Sequence, residues 1–384
     1  MTKTYIVCLP EIEGVFEDEW RQCLNKIIDA CSGGIAPVKL NIFADLPDFE
    51  SLLEKRGMII NSVSGVFGKS CPAVCVTVHP PVKPWKVEVE GTFEPAAAAS
   101  IQGRVFQSIP YIVIESDGIK EVWAAGISSY KHPGDTRKAA GKAFDMMVGL
   151  LREEGMSLND LVRQWNYIGD ILAVKDGFQN YQLFNEVRNE YYHSHRTISG
   201  YPAATGVGMR HGGVILDFCA IRSDKSIRIM AVDNPNQVNA YNYGQQVLIG
   251  LNKKADSVKH APQFERALLI ADNREAILHI SGTASIIGQE TMGKGDVGKQ
   301  TRVTLENIKK LTDIQRLCQM VSADQQYFEE YSLFRVYIKK QEDFGLVRDI
   351  CHEHFPEVPA VFIEADICRD DLLMEIEGES ELRQ

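Results

Sequence analysis

The 384-residue chain contains no run of 18 apolar residues, so nothing in it predicts a membrane span. Positive charge is in deficit, with 41 Lys and Arg against 52 Asp and Glu and a net charge of −11, spread without a long single-sign block. That balance argues against a broad nucleic-acid-binding face but leaves room for a local basic pocket that takes a small anion. The nine cysteines are an odd set without a CxxC pair, and Cys71 and Cys75 sit in a strand-like run as small hydrophobes. We expect all nine to be reduced, in the cytoplasm. The opening MTKTYIVCLPEIEG, with one lysine and a short apolar stretch, is unlike a signal peptide. The pairs His193/His195 and His352/His354 lack a third ligand at fitting spacing, so no metal is expected. The Gly-Asp pairs read as helix caps rather than phosphate loops, and a lone GxG in ATGVGMRHGG is no nucleotide signature, so no cofactor is expected.

What the chain does have is 45% apolar and 24% charged residues, enough for two or three cores, and an internal repeat. A Pro-Ala dipeptide opens a β-rich run three times: CPAVCVTVHPP from Cys71, YPAATGVGMRHGGVILDFCAI from Tyr201 and VPAVFIEADIC from Val358. Upstream of each stands the same order of helix, strand and helix. In the first copy Phe16, Trp20, Leu24, Ile27 and Cys31 recur at helical spacing, followed by VKLNIFADL and DFESLLEKRGMI. The second has GKAFDMMVGLLREEG and YQLFNEVRNEYY; the third has TRVTLENIKKLTDI, LFRVYIK and DFGLVRDICHEH. In the second copy Asp117-Gly118 supplies a hairpin turn ahead of the unit, and Gly134-Asp135 and Gly295-Asp296 read as helix N-caps. The prolines lie 130 and 157 positions apart (72, 202, 359), which places an insertion at about 222–275. The expected organisation is α+β: a degenerate unit at 1–95, a second at 96–221, the insertion at 222–275 and a third unit at 276–384. Each sheet with helices on one face needs cover on the other, and three sheets around a pseudo-threefold axis supply it.

These repeats, with AGISS, HPGD, YPAATGVG and SGTASIIG, resemble the YjgF/RidA family, also called endoribonuclease L-PSP, whose small α+β (chorismate mutase-like) subunits form trimers with a pocket at each interface. The resemblance implies that one chain supplies all three subunits as an intramolecular pseudo-trimer, a monomer by default. The Arg that follows the Pro-Ala anchor in imine-hydrolysing members is replaced by Val74, Ala204 and Val361. A narrower resemblance runs through RQWNYIGDI, YQLFNEVR, YPAATGVG, DNPNQVNAYNY, QFERA and SGTASIIGQET, which are similar, in this order, to the chorismatases. Departures are Asn236 in place of an Arg in Asn-Pro-Arg-Gln, and Gly244 in place of a Pro.

Those enzymes remove pyruvate from chorismate, which requires cations for two carboxylates and an acid that protonates an enol-ether carbon. From Gly126 to Gly134 the second copy spends 8 positions; from Gly282 to Gly295 the third spends 13, and the extra stretch brings in Glu290. The resemblance makes Glu290 the expected proton donor. Arg163, Arg188 and Arg266 are the expected carboxylate anchors, with Arg266 first among them. Tyr167 and Tyr241 are expected hydroxyl donors; Ala204, Thr205 and Gly206 the pocket floor; Thr283 a ring contact. One site, between the second and third units, is expected to be active on a small anionic substrate without nucleic acid or membrane partners. The alternatives are a RidA-type imine or enamine hydrolase with another anchor, and a non-catalytic small-molecule binder. Replacing Glu290 with Gln would separate enzyme from binder.

Overall fold

The computed structural model describes residues 3–97, 99–175, 177–224, 227–248, 259–272, 275–321 and 328–383. No helix among them is long and apolar enough to cross a membrane.

The first sheet is built from β1 (Thr4–Cys8), α1 (Phe16–Cys31), β2 (Ile35–Ala44), α2 (Phe49–Phe67), β3 (Ala73–Thr77) and β4 (Val87–Pro95). Its strands lie in the order β1-β4-β2-β3. α1 begins with Glu17, Asp18 and Glu19, which favour the positive end of the helix dipole, and buries Phe16, Trp20, Cys23, Leu24 and Ile27. α2 is capped by Asp48, which accepts from the Ser51 amide at 2.7 Å.

The second sheet follows with β5 (Ser100–Phe106), β6 (Ile109–Ser116), β7 (Ile119–Ile127), α3 (Thr136–Glu153) and β8 (Leu161–Gly169). A small pair, β9 (Val174–Lys175) and β10 (Phe178–Gln179), leads into α4 (Asn180–His195), β11 (Ala203–Met209) and β12 (Val214–Ser223). The order is β11-β8-β12-β7-β6-β5. The β6–β7 turn carries Asp117 and Gly118, both at positive φ, as expected of a tight hairpin.

The third sheet takes β13 (Arg228–Val232), β14 (Ala267–Ala271) and β15 (Glu275–Ala284), then the hairpin β16 (Ile286–Ile287) and β17 (Glu290–Thr291) outside it. α5 (Val297–Leu311), α6 (Ile314–Val321), β18 (Phe328–Ile338), α7 (Phe344–His354), β19 (Ala360–Glu364) and β20 (Met374–Arg383) complete it. Its order, β13-β14-β15-β20-β18-β19, repeats that of the second sheet. Asp135 and Asp296 cap α3 and α5 through the Lys138 and Lys299 amides, as their Gly-Asp pairs suggest. β13 and β14 belong to the third sheet although they fall within the stretch read as an insertion, so the long excursion runs between them, from 233 to 266.

All three sheets share a four-stranded core in which β3-β2-β4-β1, β11-β8-β12-β7 and β19-β18-β20-β15 correspond, each with one parallel pair after the second helix. Each sheet packs its helices on one face. The opposite faces meet in a common core that draws Val38, Phe43, Trp123, Trp165, Tyr167, Tyr337 and Val361 from all three. His79 sits there with ring contacts to Phe43, Tyr167 and Tyr337, one from each central strand.

A closed set of buried ion pairs ties the sheets together. Lys39 of β2 meets Asp217 of β12 at 2.8 Å; Arg163 of β8 meets Glu377 of β20; Arg335 of β18 meets Glu90 of β4, Nη2 to Oε1 at 2.6 Å. First sheet thus grips second, second grips third and third grips first. The acids occupy matching registers: Glu90 lies opposite Asn41, Asp217 opposite Trp165 and Glu377 opposite Arg335. Buried charges are tolerable only when paired in this way.

Candidate active site

A cavity of about 760 Å³, part of it open to solvent, lies where the second and third sheets meet, in the size range of small-molecule sites. Its floor is Ala204, Thr205 and Gly206 of β11 against Gly282 and Ala284 of β15. The two strands are joined there: Ala204 N donates to Ser281 Oγ at 2.8 Å, Ser281 Oγ donates to the Glu265 carbonyl at 2.6 Å, and Gly282 N donates to Thr205 Oγ1 at 3.1 Å. One wall is α4, presenting Tyr181, Gln182, Asn185 and Arg188; the cover comes from the 233–266 excursion through Tyr243, Phe264 and Arg266. Cys368, Arg369 and Leu372 close the far side.

Glu375, near the start of β20, is the carboxyl that faces this space. It packs so closely on Gly282 that a Cβ there would stand 2.0 Å from its Oε1, so any side chain at 282 would displace the carboxyl. Burial, reinforced by the charge of Glu377, raises its pKa to about 8, while Arg266 and Arg163 pull the other way. At neutral pH Glu375 is a protonated acid. Two positions along, burial also pushes Glu377 up, but Arg163 and Arg335 outweigh it and hold Glu377 below the usual range.

Three guanidiniums share the cavity. Arg188 is 2% exposed, donates to Asn185 Oδ1 at 2.7 Å and keeps a buried Nε without a protein partner. Arg266 donates to the Val238 carbonyl and to Tyr243 Oη at 2.7 Å, and its Nε also has no partner. Arg369 lies over the Tyr243 ring and donates to the Gln289 carbonyl at 2.8 Å. With Glu375 neutral, the cavity carries an excess of positive charge and suits an anion with two carboxylates. No cluster of three metal-ligating side chains occurs among the described residues.

Of the residues expected from sequence, Arg188, Ala204, Thr205, Gly206 and Arg266 meet here. Five do not line the cavity. Glu290 is exposed on β17, paired with Ile287 in a two-stranded hairpin that carries it outward. Arg163 spends its charge on Glu377 at the junction of the sheets. Tyr167 is buried in the shared core beside His79. Tyr241 points to Glu265, 3.3 Å away, and Tyr243 takes the place expected for it. Thr283 is buried and donates to the Ser281 carbonyl at 2.9 Å, on the opposite side of β15 from its neighbours Gly282 and Ala284. Asn236 binds Asn307 instead of the cavity, and Gly244 donates its amide to Gln289 Oε1 at 3.1 Å, a bond proline could not make.

Glu375, Arg369, Cys368 and Tyr243 are among the lining groups that sequence reasoning missed, with Tyr181, Gln182 and Asn185 of α4. A signal existed for the first: VEVEG at 87–91 and MEIEG at 374–378 are the same phrase in two copies of the repeat. Burial pushes the Cys368 thiol up to about 12, so it faces the cavity as a neutral thiol.

Residues 112–220 match the family model described as "Chorismatase FkbO/Hyg5-like, N-terminal". The chain is 33% identical over 287 residues to a 3-hydroxybenzoate synthase of Streptomyces hygroscopicus, covering 67% of this chain and 80% of that one. It is 32% identical over 256 residues to a chorismatase of Streptomyces rapamycinicus, with 64% and 71% covered. A chorismatase crystal structure superposes with a TM-score of 0.65 over 99% of both chains at 20% identity, a likeness of fold.

Proposed function

The chain belongs to the chorismatase family, and from that premise we propose that it releases pyruvate from chorismate, or a close enol-ether analogue, with Glu375 as the proton donor. The observation that carries this reading is one protonated carboxyl in a cavity shared with Arg188, Arg266 and Arg369. The substrate is a dianion whose reactive carbon must receive a proton, and the cavity offers cations for the one and an acid for the other.

The steps follow from that geometry. The guanidiniums hold the two carboxylates, and the small residues of the floor let the ring lie against backbone. Glu375 gives its proton to the exocyclic methylene, and the enol-ether carbon becomes an oxocarbenium centre. Glu375, now a carboxylate, takes a proton from the water that adds to that carbon. The resulting hemiketal breaks its bond to the ether oxygen borne by the ring; its hydroxyl proton passes to that oxygen, leaving pyruvate and a ring alcohol, and Glu375, reprotonated by the added water, is ready for the next turn. An acid of pKa about 8 is matched to both transfers near neutral pH.

The three units, at 1–95, at 96–221 and at 276–384 extended by β13 and β14 on either side of the 233–266 excursion, form a YjgF-like pseudo-trimer in this reading. The repeated strand order and the cyclic ion pairs support it. An internal threefold removes the need for other copies, so the protein acts as a monomer in the cytoplasm.

The test is incubation of the purified protein with chorismate, with pyruvate followed by a coupled assay and the ring product by mass. Expected is pyruvate release well above spontaneous decay, reduced roughly 100-fold or more in Glu375→Gln, the order for losing a general acid, and near wild type in Glu290→Gln. Full activity in Glu375→Gln would overturn the assignment of the acid; no pyruvate from the wild-type protein would overturn the reaction.

A further inference from the structure

The three meeting lines between sheets are not equivalent in chemistry. Across the central strands, Glu375 lies opposite Tyr337, Ile215 opposite Tyr167 and Glu88 opposite Phe43, so these three residues hold the same position in the three sheets. On the helix that walls each meeting line, the seventh residue after the opening aromatic (Phe49, Tyr181, Phe344) is Arg56, Arg188 and Cys351. The line between second and third sheets therefore has both Arg188 and Glu375. The line between first and second sheets has Arg56 but Ile215 in the acid's place. The line between third and first has Glu88 but Cys351 in the cation's place.

The first of the incomplete lines holds a cavity. About 1320 Å³, more open than the catalytic one, is lined by Arg56 of α2, by Ser128, Ser129 and Tyr130 after β7, by Gln107, Ser108 and Ile109 and by Lys131, Lys142 and Met146. Ser128 to Tyr130 follow Gly126 as Ala284 to Ile286 follow Gly282, so the same turn of chain faces both cavities. The Arg56 guanidinium stands 4.3 Å from the Tyr130 ring centroid, and its buried Nε has no partner, as in Arg188. Among the described residues no carboxylate is paired with Arg56, and Ser129 Oγ is buried without a partner. Asp145 is the one acid in the lining; it meets Lys142 at 3.4 Å and accepts from the Tyr191 hydroxyl. Gln107 and Ser108 form the two-residue β5–β6 turn, whose positive φ values (47 and 71) belong to a tight hairpin, while Tyr130 after β7 holds left-handed backbone (φ 49) outside any hairpin. The floor differs: a Cβ on Gly126 would meet the Val74 carbonyl at 2.5 Å, so the first sheet packs close against β7 there.

We propose that this cavity is a second binding site, for a small carboxylate with an apolar body, which Arg56 and Lys142 hold by the carboxylate and Ile109 and Met146 contact on its apolar side. It binds without turning its ligand over, because no carboxyl occupies the register of Glu375. The inference does not depend on what the catalytic cavity does.

The test is ¹⁹F NMR titration of 4-fluorobenzoate into the full chain. Expected are two bound environments in the wild-type protein. One is weakened at least tenfold in Arg56→Gln and about threefold in the exposed-site variant Lys142→Gln; the other is lost in Arg266→Gln. Pyruvate release from chorismate stays at the wild-type rate in Arg56→Gln. Should Arg56→Gln fail to fold, Lys142→Gln carries the same decision. The absence of any bound environment that weakens in Arg56→Gln or Lys142→Gln would overturn the proposal, whether or not the catalytic cavity binds the probe.

Discussion

Glu375 and Glu377 leave the same face of β20 two positions apart, yet the pKa of one is raised to about 8, which keeps it a neutral acid at neutral pH, and the other is held ionised with its pKa below the ordinary range. Their surroundings account for the difference. Glu377 accepts from Arg335 Nη1 at 2.7 Å, from Trp165 Nε1 at 3.1 Å and from Tyr337 Oη at 2.8 Å. Glu375 is buried beside that anion and opposite a cavity. Burial raises Glu375 first and the neighbouring charge of Glu377 adds to it, so the ion pairs that close the fold also help prepare the acid.

Rate should therefore depend on pH through Glu375. Pyruvate release is expected to fall as pH rises through about 8, with the limb absent in Glu375→Gln. Stability gives an independent reading. The folded pKa of Glu375 lies above its unfolded value, so its contribution is full below about 4.5 and is lost as pH rises to about 8. Melting temperatures of wild type and Glu375→Gln should diverge in favour of the variant between pH 5 and pH 8; parallel curves would refute the raised pKa.

Arg266→Gln is expected to raise KM for chorismate roughly 10- to 100-fold, the range for losing a charge-assisted hydrogen bond, with a smaller change in kcat. Steady-state kinetics decide it. A loss confined to kcat would mean that Arg266 acts on the transition state rather than as an anchor.

Removing one partner of the cyclic ion pairs leaves the other buried and uncompensated. Lys39→Met should cost about 3–5 kcal/mol, while Lys39→Met with Asp217→Leu should recover most of that loss. Urea unfolding of the three proteins checks it, and a single variant as stable as wild type would show that the pair is not needed for closure.

His79 is buried among three aromatic rings, its Nε2 at 3.1 Å from the Gly208 carbonyl and its Nδ1 at 2.8 Å from Thr77 Oγ1. Burial lowers its pKa to about 3, with the charge of Arg210 acting in the same direction. Its folded pKa is depressed, so it stabilises the fold above about 6.5 and that stability is lost as pH falls toward 3. His79→Gln should flatten the acid limb of the stability curve; an unchanged limb would assign acid lability to other groups.

By itself the sequence determined the threefold repetition of elements, because Pro-Ala anchors, helical stripes and Gly-Asp caps are local patterns that residues within one turn or one strand enforce. The resemblance of YQLFNEVR, YPAATGVG and QFERA to the chorismatases also pointed to Arg188, Arg266 and the Ala204–Gly206 floor, which the structure brings to one cavity. Only the tertiary structure decided which carboxyl faces the cavity. In MEIEGESELR the glutamates alternate with apolar residues, a pattern that reads as a strand with one solvent face. The helices α5 and α7 cover the apolar side, and the face carrying Glu375, Glu377, Glu379 and Glu381 is turned toward the other two sheets and buried. Glu290 met the opposite fate on a hairpin that projects outward. Whether a charged face meets water or another sheet depends on partners more than a hundred residues away, and one strand's pattern carries no record of them.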